Sequence, residues 1–120
     1  MNAAYRQIVV EHVGPVWYAR LRNPRLAVDG LDQLLADLDQ LVADGNCRKL
    51  VLSLGPEEPE CLYSIFLAKL VSIQRRLTAA GGALVLAEAS DSVRKIFAAC
   101  RLDDIFRFEP DRNAAIAALS

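Results

Sequence analysis

The block that most constrains this chain runs from Lys49 to Leu77 and reads KLVLSLG, PEEPECLYS, IFLAKLVSIQRRL. Leu50 to Leu54 is a short apolar run with a β-branched valine inside it, the length and content of a buried strand. Gly55 and Pro56 end the run: glycine adds no side chain to pack, and proline has no N–H for the ladder. An acidic loop carrying Glu57, Glu58 and Glu60 follows. Beyond it, Leu62, Phe66, Leu70, Ile73 and Leu77 recur at three- and four-residue spacing, so they share one face of a long helix. Lys69, Gln74, Arg75 and Arg76 fall mostly off that face. Cys61, Tyr63 and Ser64 are thereby expected near a helix N-terminus, just past the C-terminal end of a parallel strand. Ligands and partners of open α/β sheets bind at that edge, so a functional site is expected there.

The rest of the chain fits around this unit. Residues 7–13, QIVVEHV, mix apolar and polar positions as a strand does, and Gly14-Pro15 breaks them. Residues 16–22, VWYARLR, read as the second arm of an antiparallel hairpin. Asn23 to Arg25 form a turn. Asp29 is placed to cap a helix whose stripe is Leu31, Leu34, Leu35, Leu38, Leu41 and Val42, with Gly45 as its C-terminal cap. Gly81-Gly82 ends the central helix, and residues 83–88, ALVLAE, form another strand. Ser90 caps a short helix expected to bury Val93, Ile96, Phe97 and Cys100. Leu102, Ile105 and Phe106 extend that apolar surface. A short edge strand is expected at residues 106–108, and Asp111 caps a last helix that packs Ile116 and Leu119 inward. The order β-β-α-β-α-β-α-β-α predicts one α/β domain over residues 1–120, with a mostly parallel sheet, right-handed crossovers and an N-terminal β-hairpin.

Composition removes several function classes. At 120 residues the chain suffices for one core, and 53% hydrophobic content argues against disorder. Fourteen basic residues against 15 acidic ones leave a net charge of −1, which makes no electrostatic case for nucleic acid or for an anionic membrane surface. No apolar run has the length of a membrane span, and the first dozen residues lack the apolar core of a signal peptide. A cytoplasmic protein is expected. Three widely spaced cysteines, Cys47, Cys61 and Cys100, fit reduced thiols better than a disulfide framework or a zinc site. The single histidine, His12, argues against a histidine-built metal site.

Three parts of the chain, taken in order, resemble a known family. They are KLVLSL leading to CLYSIFLAKL, then the RRL-x-x-x-GG helix end running into an apolar strand, then SVRKIFAACRLDDIF. Together they are similar to a STAS domain, the fold of bacterial anti-sigma-factor antagonists. The resemblance covers nearly the whole chain. It implies a STAS-like sheet of about five strands with four helices, no enzymatic activity and no cofactor. The implied partner is an anti-sigma factor with serine kinase activity, or a related regulator, and that partner would bind the ATP. The family opens its central helix with Asp-Ser, a small residue, then Gly-Leu, and the serine after the aspartate accepts phosphate. Aligned on Leu67, Ser64 stands at the phosphoacceptor position, Tyr63 at the aspartate, Ile65 at the small residue and Phe66 at the glycine. The partner-binding surface implied is Glu60, Cys61, Tyr63, Ser64 and Leu67.

The residues themselves leave alternatives open. A serine at a helix start accepts hydrogen bonds from free backbone N–H groups; phosphorylated, it would add roughly two negative charges that the helix dipole favours. Ser64 is thus a phosphoswitch or an ordinary cap. Tyr63 is an interface aromatic or a packed one, and Phe66 reads as core. The changed residues at 63, 65 and 66 fit a scaffold or homodimer without phosphoregulation. Cys61 and Ser64 also form a C-x-x-S at a helix start, the setting of a reactive thiol, although the acidic neighbourhood would raise its pKa. The glutamates lack the nucleophile or metal partners that acid–base catalysis needs.

Overall fold

The computed structural model describes residues 5–23, 25, 30–43, 47–55, 59 and 64–119. Among these residues there are five strands: β1 Ile8–Val13, β2 Val16–Leu21, β3 Lys49–Ser53, β4 Ala83–Ala87 and β5 Arg107–Glu109. Four helices accompany them: α1 Leu31–Ala43, α2 Ser64–Ala79, α3 Asp91–Ala99 and α4 Arg112–Leu119. The expected order of elements and the α/β class are both found. Asp29 and Gly45, expected to cap α1, lie outside the described residues.

The spatial order is β1-β2-β3-β4-β5. β1 and β2 pair antiparallel through the Gly14-Pro15 turn, with Val13 opposite Val16. The remaining pairs are parallel: Leu50 stands between Trp17 and Leu84, and Ser53 between Arg20 and Ala87. Because each parallel strand adds on the same side of the last, right-handed crossovers place α1, α2 and α3 on one face of the sheet. The chain then leaves β5 and lays α4 on the other.

Strand alternation fills both faces. On the first, Ala19, Leu21, Leu50, Leu52, Leu54, Leu84 and Leu86 meet Leu34, Leu38, Leu41, Phe66, Leu70, Ile73, Leu77, Val93 and Phe97 in one apolar core. Each large side chain buried there contributes about 1.5–3 kcal/mol. On the second, Val16, Tyr18, Val51, Val85 and Ala87 meet Ala115, Ile116 and Leu119 of α4. Phe97 closes the first core against Phe106 and Phe108 in edge-to-face contacts at 5.6 and 5.4 Å.

The helix ends follow their local chemistry. The Ser90 hydroxyl accepts from the Val93 N–H at 3.2 Å, and the Asp111 carboxylate from the Ala114 N–H at 2.8 Å. α2 stops where Gly81 takes φ +86, a left-handed conformation open to glycine; the Gly82 N–H then donates to the Leu77 carbonyl at 2.7 Å.

One polar residue lies inside the stripe of α1. Asp37 is fully buried, and its carboxylate accepts from the backbone N–H groups of Arg6 and Gln7 at 2.9 and 2.6 Å. The Gln33 amide supplies a third bond at 2.8 Å. These bonds fasten the segment before β1 to α1.

Candidate functional site

The C-terminal ends of β3 and β4 share one edge of the sheet, and α2 and α3 follow from them. Ser64 is the first residue of α2 and is exposed. Phe66 and Leu67 turn inward and are buried, which holds the first turn of the helix against the core. Ile65 points away from it and is 55% exposed. Ser64, Leu67, Ala68 and Val71 form one wall of an apolar groove of about 360 Å3, and Cys100 and Leu102, just past α3, form the other. A serine hydroxyl therefore stands at the rim of an otherwise apolar surface at the positive end of a helix.

At the C-terminal ends of the strands, on the α4 side of the sheet, lies a polar cluster. Ser53, the last residue of β3, is buried, and its hydroxyl lies 2.7 Å from Glu88 Oε1 and 2.8 Å from the Gly55 carbonyl oxygen. The Gly55 N–H donates back to the same hydroxyl at 3.3 Å. The Tyr18 hydroxyl, from β2, donates to Glu88 Oε1 at 3.1 Å. Burial pushes the Tyr18 phenol above its ordinary value of 10.0; the Ser53 bond acts against the shift and the Glu88 carboxylate adds to it. Glu88 itself has φ +61, a left-handed backbone that costs a non-glycine residue roughly 1–2 kcal/mol. Gly55 packs directly on it: a Cβ at position 55 would overlap the Glu88 carbonyl oxygen. Above the Tyr18 ring, at 5.1 Å, lies the Arg112 guanidinium, which pairs with Glu11 at 2.8 Å.

No protein-family model matches the chain, and no curated protein is similar to it in sequence. Solved structures are similar in fold. An anti-sigma factor antagonist from Mycobacterium paratuberculosis superposes with a TM-score of 0.78 at 20% identity, covering 93% of this chain and 92% of its own. An anti-sigma-factor antagonist (STAS) domain protein from Planctomyces limnophilus gives 0.77 at 19% identity, covering 93% and 97%. The Bacillus cell fate determinant SpoIIAA, in its phosphorylated form, gives 0.68 at 19% identity, covering 94% and 99%. The chain has the STAS fold.

The expected site residues can now be placed on that fold. Ser64 and Leu67 come together at the groove, one at its rim and one in its wall. Glu60, Cys61 and Tyr63 lie outside the described residues, as do Glu57, Glu58 and Leu62. Phe66 is core, as its place beside Leu70 on the helix face implied.

The reading of α3 needs correction. Val93 and Phe97 are buried, but Ile96 is 38% exposed and Cys100 is exposed. The helix has nine residues and meets the core along the single row of Val93 and Phe97. Ile96 lies off that row, and Cys100 is the C-cap, where the backbone has already left the helix. Ile105, expected to extend the core, is 39% exposed, whereas Phe106 beside it is buried.

His12 sits toward the other end of the STAS sheet, its ring tilted against Trp17 with centroids 4.1 Å apart. Among the described residues, no group of three His, Cys, Asp or Glu side chains is placed to hold a metal ion, and no helix is long and apolar enough to cross a membrane.

The Tyr18–Ser53–Glu88 cluster escaped the sequence reading, which took Tyr18 only as part of a hairpin arm. Its one local signal was a hydroxyl, Ser53, closing an apolar strand.

Proposed function

We propose that this chain is a non-enzymatic regulatory protein that works, as anti-sigma-factor antagonists do, by docking on a protein partner. The partner is an anti-sigma factor with serine kinase activity or a related regulator, in the cytoplasm of a bacterium, and it supplies the ATP. Ser64 is the phosphoacceptor, and the docking surface is the α2 start together with Glu60, Cys61, Tyr63 and Leu67. The observation that carries this reading is the exposed Ser64 hydroxyl at the first position of α2, on the rim of an apolar groove. The apolar wall supplies contact area. Phosphate at Ser64 would add charge to that rim without disturbing the buried Phe66 and Leu67, and it would oppose an acidic partner surface.

The test mixes the chain with its cognate kinase and ATP. Phosphate is expected on Ser64, none on Ser64→Ala, and a complex weakened by Ser64→Asp. Absence of both phosphate and complex overturns the reading.

One observation favours a second reading, a scaffold or homodimer without phosphoregulation. Ile65, next to Ser64, is more than half exposed, and a large exposed aliphatic group at a helix start suits a permanent apolar contact. This reading predicts a dimer in sedimentation that Ile65→Glu dissociates. A concentrated wild-type chain that sediments as a monomer rejects it.

A further inference from the structure

One wall of the groove lies on the first turns of α2 and the other just past the C-terminal end of α3, and both helices pack on the same apolar core. The chain enters the two helices from neighbouring strand exits, joined by the Leu54 N–H to Ala87 carbonyl bond. α2 follows the exit of β3 at Leu54 and Gly55; α3 follows the exit of β4 at Glu88, with its N-cap Ser90 two residues on. We propose that Glu88 is a positioning residue for the groove: it clasps the exit of β3 to the exit of β4 and so fixes the start of α2, which carries one wall, against the start of α3, whose far end leads into the other. The proposal rests on reading that groove as the docking surface.

The clasp has three parts. The first is the carboxylate. Ser53 has one hydroxyl proton and two acceptors in reach, Glu88 Oε1 at 2.7 Å and the Gly55 carbonyl at 2.8 Å. A charged acceptor holds a hydroxyl more strongly than a neutral one, so the proton goes to Glu88, and the oxygen is free to accept from the Gly55 N–H. One side chain of β3 thereby binds the β4 exit and its own. The second part is the backbone contact. Gly55 has no side chain, and the Glu88 carbonyl lies in the space a Cβ would fill; the Leu54 N–H donates to the Ala87 carbonyl at 2.8 Å beside it. The third is the conformation of Glu88. A residue that merely ended β4 at φ +61 would be better served by glycine. Glutamate in that conformation brings a carboxylate to the point where the Tyr18 and Ser53 hydroxyls converge. Strained backbone of this kind persists where several contacts over-determine it.

Amide hydrogen exchange on the intact chain tests this in wild type, Glu88→Gln, Glu88→Gly and Ser53→Ala. The clasp predicts exchange about tenfold faster at Gly55 and in the first turns of α2 and α3 for every variant, from the loss of a hydrogen bond to a charged group. The Leu50 and Leu84 amides of the central strands keep their protection. Glu88→Gly relieves the backbone strain, so its groove loosens even where global stability is unchanged, which a purely structural residue would not do. Combining Ser53→Ala with Glu88→Gln adds nothing to the faster single variant. Exchange that is unchanged, that rises uniformly across the strands, or that is additive in the double variant overturns the assignment. Glu88→Gln keeps size and backbone, so a Glu88→Gly chain that fails to fold leaves the test decisive. No partner is needed, so the clasp and the docking reading can each fail alone.

Discussion

On one face of the sheet Leu50, Leu52, Leu84 and Leu86 meet three helices; on the other Val51, Val85 and Ala87 meet α4 alone, and the row ends in Tyr18, Ser53 and Glu88. The first face is apolar apart from the buried Asp37 of α1 and is covered by long side chains. The second has smaller residues, and its upper end is polar. Apolar burial is non-directional and supplies most of the stability, whereas hydrogen bonds have geometry and fix where one loop lies against another. The three-helix face therefore holds the fold together, and the α4 face locates the entrances to α2 and α3.

That contrast can be broken by substitution. The largest effect is expected on the apolar face: Phe97→Ala should cost about 3–5 kcal/mol, against about 2 kcal/mol for Ile116→Ala under α4. Urea unfolding of the two variants measures both, and equal losses would remove the distinction between the faces. Asp37→Ala tests whether a polar contact can matter as much on the first face. It leaves the Arg6 and Gln7 N–H groups and the Gln33 amide without their acceptor, for an expected loss of about 2 kcal/mol. Gly55→Ala should cost about 1–3 kcal/mol, because the new methyl meets the Glu88 carbonyl; a neutral effect would mean that the two exits are free to separate.

The smallest expected effect is a pH dependence. The folded chain raises the Tyr18 pKa, chiefly by burial. The raised value favours the protonated phenol in the folded state, so its contribution is fully present below pH 10.0, the ordinary value, and is lost as pH rises through the folded value. Melting temperature followed through that range should fall more steeply for wild type than for Tyr18→Phe. Parallel curves would show that the phenol does not feel its site.

Most of the architecture was legible in the order of residues. The leucine stripe of α1 and the apolar runs of β3 and β4 are set by local periodicity, and the caps of α3 and α4 by Ser90 and Asp111 beside them. Residue spacing placed Ser64 near the start of α2, where the structure has it. Less legible was the outer limit of the core. Ile96 and Phe97 are neighbours with equal claims to burial by hydropathy, and only the direction in which α3 meets the sheet separates them. Asp37 was invisible for a similar reason, since its partners come from a segment some thirty residues away.

The sequence by itself determined the α/β class, the element order, the hairpin and the position of Ser64, because each depends on residues close together in the chain. The opening expectation relied on a binding edge described for sheets whose strand order reverses. Here the order never reverses, and only the tertiary structure decided what that edge contains. Ser53 and Glu88 are 35 residues apart, and Tyr18 and Glu88 are 70 apart. They meet because parallel pairing in register carries β2, β3 and β4 to the same edge of the sheet, a juxtaposition that local periodicity does not encode.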